Sequence, residues 1–224
     1  MIKFFSILNK GDDHHLPFYN NFIEHLKKFN LEKDHELIMV DGDSGPFKSE
    51  EFISITYKKL DHVCNFLRDG HTVFLSDLDI VFLRDPIPYL EEQLQHHDIA
   101  IQTNQYKGEI KNTPSIKAYS KNTGFYMVKP SDLLIDFFDT TEKLRPWDSD
   151  PTDQGYINQK SIQKWNKYQK IKCKTLDRDL FPFGKWWYEH SQSIPDPYIV
   201  HYNWIWRLER KIERMKEFGH WIVE

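Results

Sequence analysis

A chain of 224 residues with 30 Lys and Arg against 34 Asp and Glu, and a formal net charge of −4, lacks the basic face that general nucleic-acid binding needs. With 39% hydrophobic and 29% charged residues it is expected to fold round a real core as one domain, and its apolar runs are too short to span a membrane. The two cysteines, Cys64 and Cys173, lie far apart without metal-type spacing, which argues against a disulfide scaffold or a zinc site and fits a reducing compartment.

The chain opens MIKFFSILNKGDDHH, with about six apolar residues before polarity returns, too few for a secretory leader. The expectation is a cytoplasmic protein, or a catalytic domain separated from its anchor. IKFFSIL (2–8) reads as a strand, and LPFYNNFIEHLKKF (16–29) as a helix with Phe18, Phe22, Leu26 and Phe29 on one face. ELIMVD (36–41) is a second strand, closed by the turn-rich DGDSGP. In SEEFISITYKKLDHVCNFLRDG, Ile53, Tyr57, Leu60, Cys64 and Leu67 share a helical face, and Gly70 ends the helix. TVFLSD (72–77) is the third strand.

Three apolar strands separated by amphipathic helices predict a parallel sheet with right-handed crossovers. Ligands bind outside the carboxyl ends of such strands. Asn9, Asp41, Asp77 and Asp79 all fall at these ends. Beyond them DIAIQTN (98–104) reads as a strand, residues 106–122 as a polar loop and GFYMVKP (124–130) as a strand. A helix should run from Ser131 to about Lys143, and another should open near Asp153 after the turns of RPWDSDPTDQ. Residues 162–175 have no clear period; DPYIVHYNW (196–204) holds a strand, and a basic amphipathic helix closes the chain at about 206–218.

Asp77 and Asp79 interrupt an apolar stretch, and IVFLRDP returns at once to apolar residues. A charged gap inside a core is costly unless the charges are paired or bind a metal. Two carboxylates at i and i+2 suit an oxygen-loving divalent cation that bridges a diphosphate. A plainer reading has Asp77 capping a turn and Asp79 pairing with Arg84.

FLSDLDIVFLRDP resembles the strand–Asp-x-Asp–strand segment of nucleotide-diphospho-sugar transferases with the GT-A fold, a group that includes plant cell-wall xylosyl- and arabinosyltransferases and, more distantly, glycogenin-like enzymes. KNTGFYMVKPS (121–131) is similar to the family's Asn-x-Gly-Phe strand, PTDQGYIN (151–158) to its Asp-Gln helix start and DRDLFPFGKWWY (177–188) to its Phe-x-x-Gly loop. VHYNWIWRLERKIERMKEFGHW (200–221) is similar to its His-x-Asn segment and closing helix. The resemblance implies an α/β, Rossmann-like, mostly parallel central sheet flanked by helices, with a smaller acceptor-side sheet. The nucleotide-binding part would cover about 1–104 and the sugar and acceptor part about 105–224.

The resemblance further implies that Asp77, Asp79 and His201 hold the metal, an oxygen-and-imidazole set that favours Mn²⁺ over Mg²⁺. Asn9, Lys59, Asp77, Gly124 and Gly184 would line the nucleotide sugar, although Lys59 lies opposite the apolar stripe of its helix, where a lysine is ordinarily solvated. Asn122, Asp153 and Gln154 would meet the donor sugar; more plainly, Asn122 closes a turn and Asp153 caps a helix. Gly184, Lys185, Trp186 and Trp187 form an aromatic loop suited either to sugar stacking or to packing. The closing helix, with Arg207, Arg210, Lys211, Arg214 and Lys216 beside Ile205, Leu208, Ile212 and Met215, either packs on the domain or touches an anionic membrane surface. The implied activity is transfer from a UDP-sugar to a hydroxyl of a glycan, glycoprotein or other acceptor, with retention of anomeric configuration. A catalytically idle nucleotide-sugar-binding module of a larger glycosylation assembly is the alternative. A nucleotidyltransferase would need a Gly-rich basic loop after the first strand, and NKGDDHH offers one glycine and two acids.

Overall fold

The computed structural model describes residues 1–42, 45, 48–108, 115–117, 120–142, 144, 150–205 and 207–224. Parts of the expected turns DGDSGP and RPWDSD, the centre of the 106–122 loop, Lys143 and Trp206 lie outside the described residues.

The first third alternates as its apolar runs predict: β1 (Ile2–Asn9), α1 (Leu16–Lys27), β2 (His35–Val40), α2 (Glu50–Arg68) and β3 (Thr72–Ser76). Pro17 sits in the first turn of α1, where its missing N–H costs nothing. Ser49 caps α2 by accepting the Phe52 N–H at 3.2 Å, with Glu50 and Glu51 in the first turn and Arg68 in the last, as the helix dipole favours. Gly70 then turns the chain at φ +79°.

β1 pairs in parallel with both β2 and β3. The sheet continues through β6 (Lys121–Val128), β5 (Ile99–Thr103) and β7 (Cys173–Thr175), in the order β2-β1-β3-β6-β5-β7. β6 is antiparallel to both its neighbours, while β7 is parallel to β5. A second sheet of two antiparallel strands, β4 (Ile80–Phe82) and β8 (Ile199–His201), stands beside it.

Alternation along the strands sorts the core into two faces. Val73, Leu75, Tyr126 and Val128 meet Leu60, Val63 and Leu67 of α2. Phe74, Phe125 and Met127 point the other way, onto Phe4, Phe22 and Phe82. Phe4 stacks on Phe74 at 4.3 Å, and Phe74 meets Phe125 edge-on at 5.3 Å. Both cysteines are free and buried.

Several boundaries differ from expectation. β6 begins at Lys121, so Asn122 and Gly124 lie inside the strand and are fully enclosed. The helix expected to reach about Lys143 is α4 (Asp132–Phe138), stopped where the Asp139 carboxylate accepts the Thr141 N–H and hydroxyl at 2.8 and 2.6 Å. α3 (Ile87–His96) was not expected; Pro88 stands in its first turn, where proline is tolerated. Beyond α5 (Asp153–Gln163), the aperiodic stretch holds α6 (Trp165–Tyr168) and β7. The expected aromatic loop is α7 (Gly184–His190), and the chain closes with α8 (Leu208–Glu217). Among the described residues no helix is long and apolar enough to cross a membrane.

Candidate active site

Two crossings of the chain assemble one cluster. At the end of β3 the Asp77 N–H donates to Gly124 O at 2.7 Å, holding Asp77 against β6. The chain turns, the Tyr202 N–H donates to Asp79 O at 2.9 Å, and β4 runs beside β8 with Ile80 opposite His201. The result gathers Asp77, Asp79 and His201, with one potential ligand atom from each within 4.8 Å of the others. Gly124 lies beneath them: a Cβ there would come 2.5 Å from both Asp77 Oδ2 and His201 Cε1. Only glycine leaves room for this grouping. Two carboxylates and an imidazole form a donor set that could hold a divalent cation.

Lysines flank the acids. Lys59 Nζ lies 3.0 Å from Asp77 Oδ1 and 3.2 Å from Asp153 Oδ2, while Lys211 of α8 reaches Asp79 Oδ2 at 2.7 Å. His201 Nε2 is 3.2 Å from Asp79 Oδ1. Burial opposes the charge on Asp79, but Lys211 and His201 outweigh it and hold the carboxyl well below its usual range. Burial likewise opposes the charge on Lys59, and Asp153 with Asp77 more than reverses it, raising the ammonium's pKa. Asp153 moves up, because burial and Asp77 together exceed the help of Lys59. The solvated position expected for Lys59 is thus corrected: it is buried, since α5 covers the outer side of α2. Arg84 pairs with Asp196 at 2.7 Å, so the simple Asp79–Arg84 pair is not formed.

A chain of amides backs the cluster. His201 Nδ1 is 2.8 Å from Gln102 Oε1 and 3.2 Å from Asn122 Nδ2. Asn122 donates to Asn104 Oδ1 at 2.9 Å and accepts the Gly124 N–H at 2.8 Å, a local turn within the strand. Asn104 in turn donates to Gln154 Oε1 at 3.1 Å and accepts from Asn203 Nδ2 at 3.2 Å. Asp153 is the first residue of α5, not its cap: Thr152 holds that place.

Elsewhere the sequence candidates are more dispersed. Asn9 is buried at the end of β1, and among the described residues its Oδ1 has no hydrogen-bond partner. Asp41 is tied to Lys10 at 2.8 Å. Gly184 starts α7, donating its N–H to Asn203 Oδ1 at 2.7 Å, and a Cβ there would collide with the Asn203 backbone. Its need for glycine is explained by this close packing. Trp187 is buried against Phe218, and Trp186 bonds Asp179 through Nε1 at 2.8 Å. α8 packs Leu208, Ile212 and Met215 onto Val81, Val200 and Tyr202.

Sequence reasoning passed over Gln102, Asn104 and Lys211. A glutamine inside the apolar strand IAIQT was a signal, because a buried amide must find partners. Lys211 was another: it sits between Leu208 and Ile212 on the apolar side of its helix.

The profile of the nucleotide-diphospho-sugar transferase family matches residues 22–215. The chain belongs to that family. Among curated relatives, an Arabidopsis thaliana UDP-D-xylose:L-fucose alpha-1,3-D-xylosyltransferase is 23% identical over 80% of this chain and 50% of its own length. A Dictyostelium discoideum UDP-galactose:fucoside alpha-3-galactosyltransferase is 28% identical over 72% of this chain and 27% of its own. The chain therefore spans half or less of the length of these two relatives. Solved glycosyltransferases share the GT-A fold. One, involved in glycosylating the major capsid of the virus PBCV-1, superposes with a TM-score of 0.58 at 13% identity, covering 95% of this chain and 99% of that one. Mouse xyloside xylosyltransferase 1 does so with a TM-score of 0.53 at 12% identity, covering 92% and 99%.

Proposed function

We propose that this glycosyltransferase moves a sugar from a UDP-sugar to an acceptor hydroxyl with a divalent cation, Mn²⁺ before Mg²⁺, held by Asp77, Asp79 and His201. The convergence of these three side chains over Gly124 carries the reading. Charge supports it as well. Three acids, Asp77, Asp79 and Asp153, face two lysines, Lys59 and Lys211, which leaves the site with an excess of carboxylates. A diphosphate enters such a site favourably only with a cation, whose chemistry is to neutralise the charge left on the departing diphosphate.

The remaining roles follow the layout. Residues 1–224 act as one unit, nucleotide in the first half and sugar in the second. Asn9, whose Oδ1 has no partner among the described residues, is suited to accept from the base or ribose, and Lys59 to face the diphosphate. Gly124 admits the donor close to β6, and Gly184 keeps α7 near Asn203 at the rim. Asn122, Asp153 and Gln154 orient the donor sugar. Because Asp153 is ion-paired to Lys59 and Gln154 is tied to Asn104, they fit orienting groups better than a free nucleophile. Front-face attack assisted by the leaving phosphate, with retention, is the route this favours. Both relatives named above act on fucose or a fucoside, from different donors, so a fucoside is the proposed acceptor.

Calorimetric titration with UDP, with and without Mn²⁺, tests the site. Binding should need the metal and fall at least tenfold in Asp79→Ala and His201→Ala, about 1.4 kcal/mol or more. Equal UDP binding without metal would refute the cation site. Metal-dependent UDP binding without transfer from UDP-xylose or UDP-galactose to methyl fucoside would favour the idle module.

A further inference from the structure

We propose that Gln102 is a positioning residue of this site: it keeps the His201 proton on Nδ1, so that Nε2 presents a lone pair towards Asp77 and Asp79. The inference rests on the reading of these residues as a cation site.

Gln102 is fully buried on β5, with 0% exposure. Its Nε2 donates to Phe181 O at 3.0 Å and Pro182 O at 3.2 Å, which uses both amide hydrogens. Turning the amide over would set Oε1 against two carbonyl oxygens in a fully buried setting, where the unmet acceptors are costly. Oε1 must therefore face His201 Nδ1, at 2.8 Å, and an amide oxygen can only accept there. Nδ1 has to carry the proton. Histidine ligands characteristically bond a carbonyl or carboxylate through their other nitrogen in this way.

Asn122 makes the opposite demand. Its Nδ2 stands 3.2 Å from the same Nδ1 and would favour a lone pair there. It cannot turn over, because its Oδ1 accepts the Gly124 N–H at 2.8 Å. It has another outlet, Asn104 Oδ1 at 2.9 Å, so Gln102 takes Nδ1 by the shorter contact. Without Gln102 the balance reverses. Asn122 then donates to Nδ1, and the proton passes to Nε2, where Asp79 Oδ1 waits at 3.2 Å. The nitrogen meant for a cation is blocked.

The test is nitrogen-15 NMR of the His201 ring in metal-free protein, paired with Mn²⁺ calorimetry, on wild type, Gln102→Met and Gln102→Glu. Wild type should show an Nδ1 proton protected from exchange. In Gln102→Met the proton should move to Nε2 and Mn²⁺ affinity fall 10- to 100-fold. Gln102→Glu retains an acceptor, so it should keep the Nδ1 proton and bind Mn²⁺ more tightly than Gln102→Met. An unmoved proton in Gln102→Met overturns the proposal, as does equal loss of Mn²⁺ affinity in both variants. If Gln102→Met fails to fold, a wild-type His201 without an Nδ1 proton overturns it and one with that proton supports it. Wild type that binds no Mn²⁺ would remove the cation site, while the NMR arm would still decide what Gln102 does to the ring.

Discussion

Lys59 and Lys160 are buried lysines on neighbouring helices, α2 and α5, and their surroundings differ in kind. Lys160 Nζ donates to Asp136 O at 2.7 Å, Asp139 O at 2.5 Å and Tyr156 Oη at 3.3 Å, with Glu142 at 3.6 Å. Its three donors meet three acceptors, and two of these are carbonyls at the C-terminal end of α4, which Tyr156 and Tyr168 also reach through their hydroxyls at 2.8 and 3.4 Å. Burial lowers its pKa, and Glu142, Asp136 and Asp139 only partly resist. Lys59 is held instead by two carboxylates from different elements, and they raise its pKa. The first arrangement is complete in itself. The second brings two acids together and leaves the nearby cluster negative, as a binding site requires and a structural pair does not.

Lys160→Met should give the largest effect, a loss of about 3–5 kcal/mol in urea unfolding, because two buried carbonyls lose their charged donor, leaving only the Tyr156 and Tyr168 hydroxyls, and Glu142 keeps Lys164 alone. Mn²⁺ and UDP binding by the folded fraction should not change. A loss under about 1 kcal/mol would mean that Lys160 is no staple, and the contrast would fail. Lys59→Met should reverse the order of effects. Its stability cost should be smaller, about 1–2 kcal/mol, since burial already raises the Asp153 carboxyl and eases its protonation once the lysine is gone. With one positive charge gone, Mn²⁺ should bind about fivefold tighter, the scale of one Coulomb interaction at these separations in water. Calorimetry showing weaker Mn²⁺ binding in Lys59→Met would place Lys59 among the supports of the site and not among its counter-charges.

The first three strands and two helices were legible because each is one apolar run or one stripe closed by capping or turn residues. The Asp-x-Asp gap and the later motifs pointed to residues 77, 79, 122, 153, 154 and 201, which the fold does bring to one end of the sheet. Lys59 was misread for a definite reason. A helix wheel distinguishes two sides, whereas α2 lies between the sheet and the α4–α5 layer, so its outer side is also interior. The amide chain through Gln102 and Asn104 escaped because amide pairing depends on register between β5 and β6, and that register contains an irregularity between Ile101 and Thr103. Helix α7 was hidden by its composition: Trp and Tyr are weak helix formers, and here packing against β8 and the C-terminal segment decides.

The smallest effect expected is also the sharpest test of the contrast. Asp153 is 3% exposed, and its carboxyl is raised above the ordinary aspartate value, by burial first and by Asp77, against the pull of Lys59. A carboxyl raised on folding favours the folded state fully below its unfolded value near 3.8 and loses that advantage as pH rises through the folded value. At neutral pH its charge is therefore held at a cost. Asp153→Asn removes the charge and keeps the shape, leaving Lys59 to Asp77 alone. Stability at neutral pH should rise by about 1 kcal/mol, or roughly 2–4 °C in Tm, while sugar transfer is lost. The gain should shrink as pH falls and vanish where wild-type Asp153 is itself protonated. If Asp153→Asn instead lowers Tm at neutral pH, then Asp153 supports Lys59 as the carbonyls support Lys160, and the two lysines belong to one class.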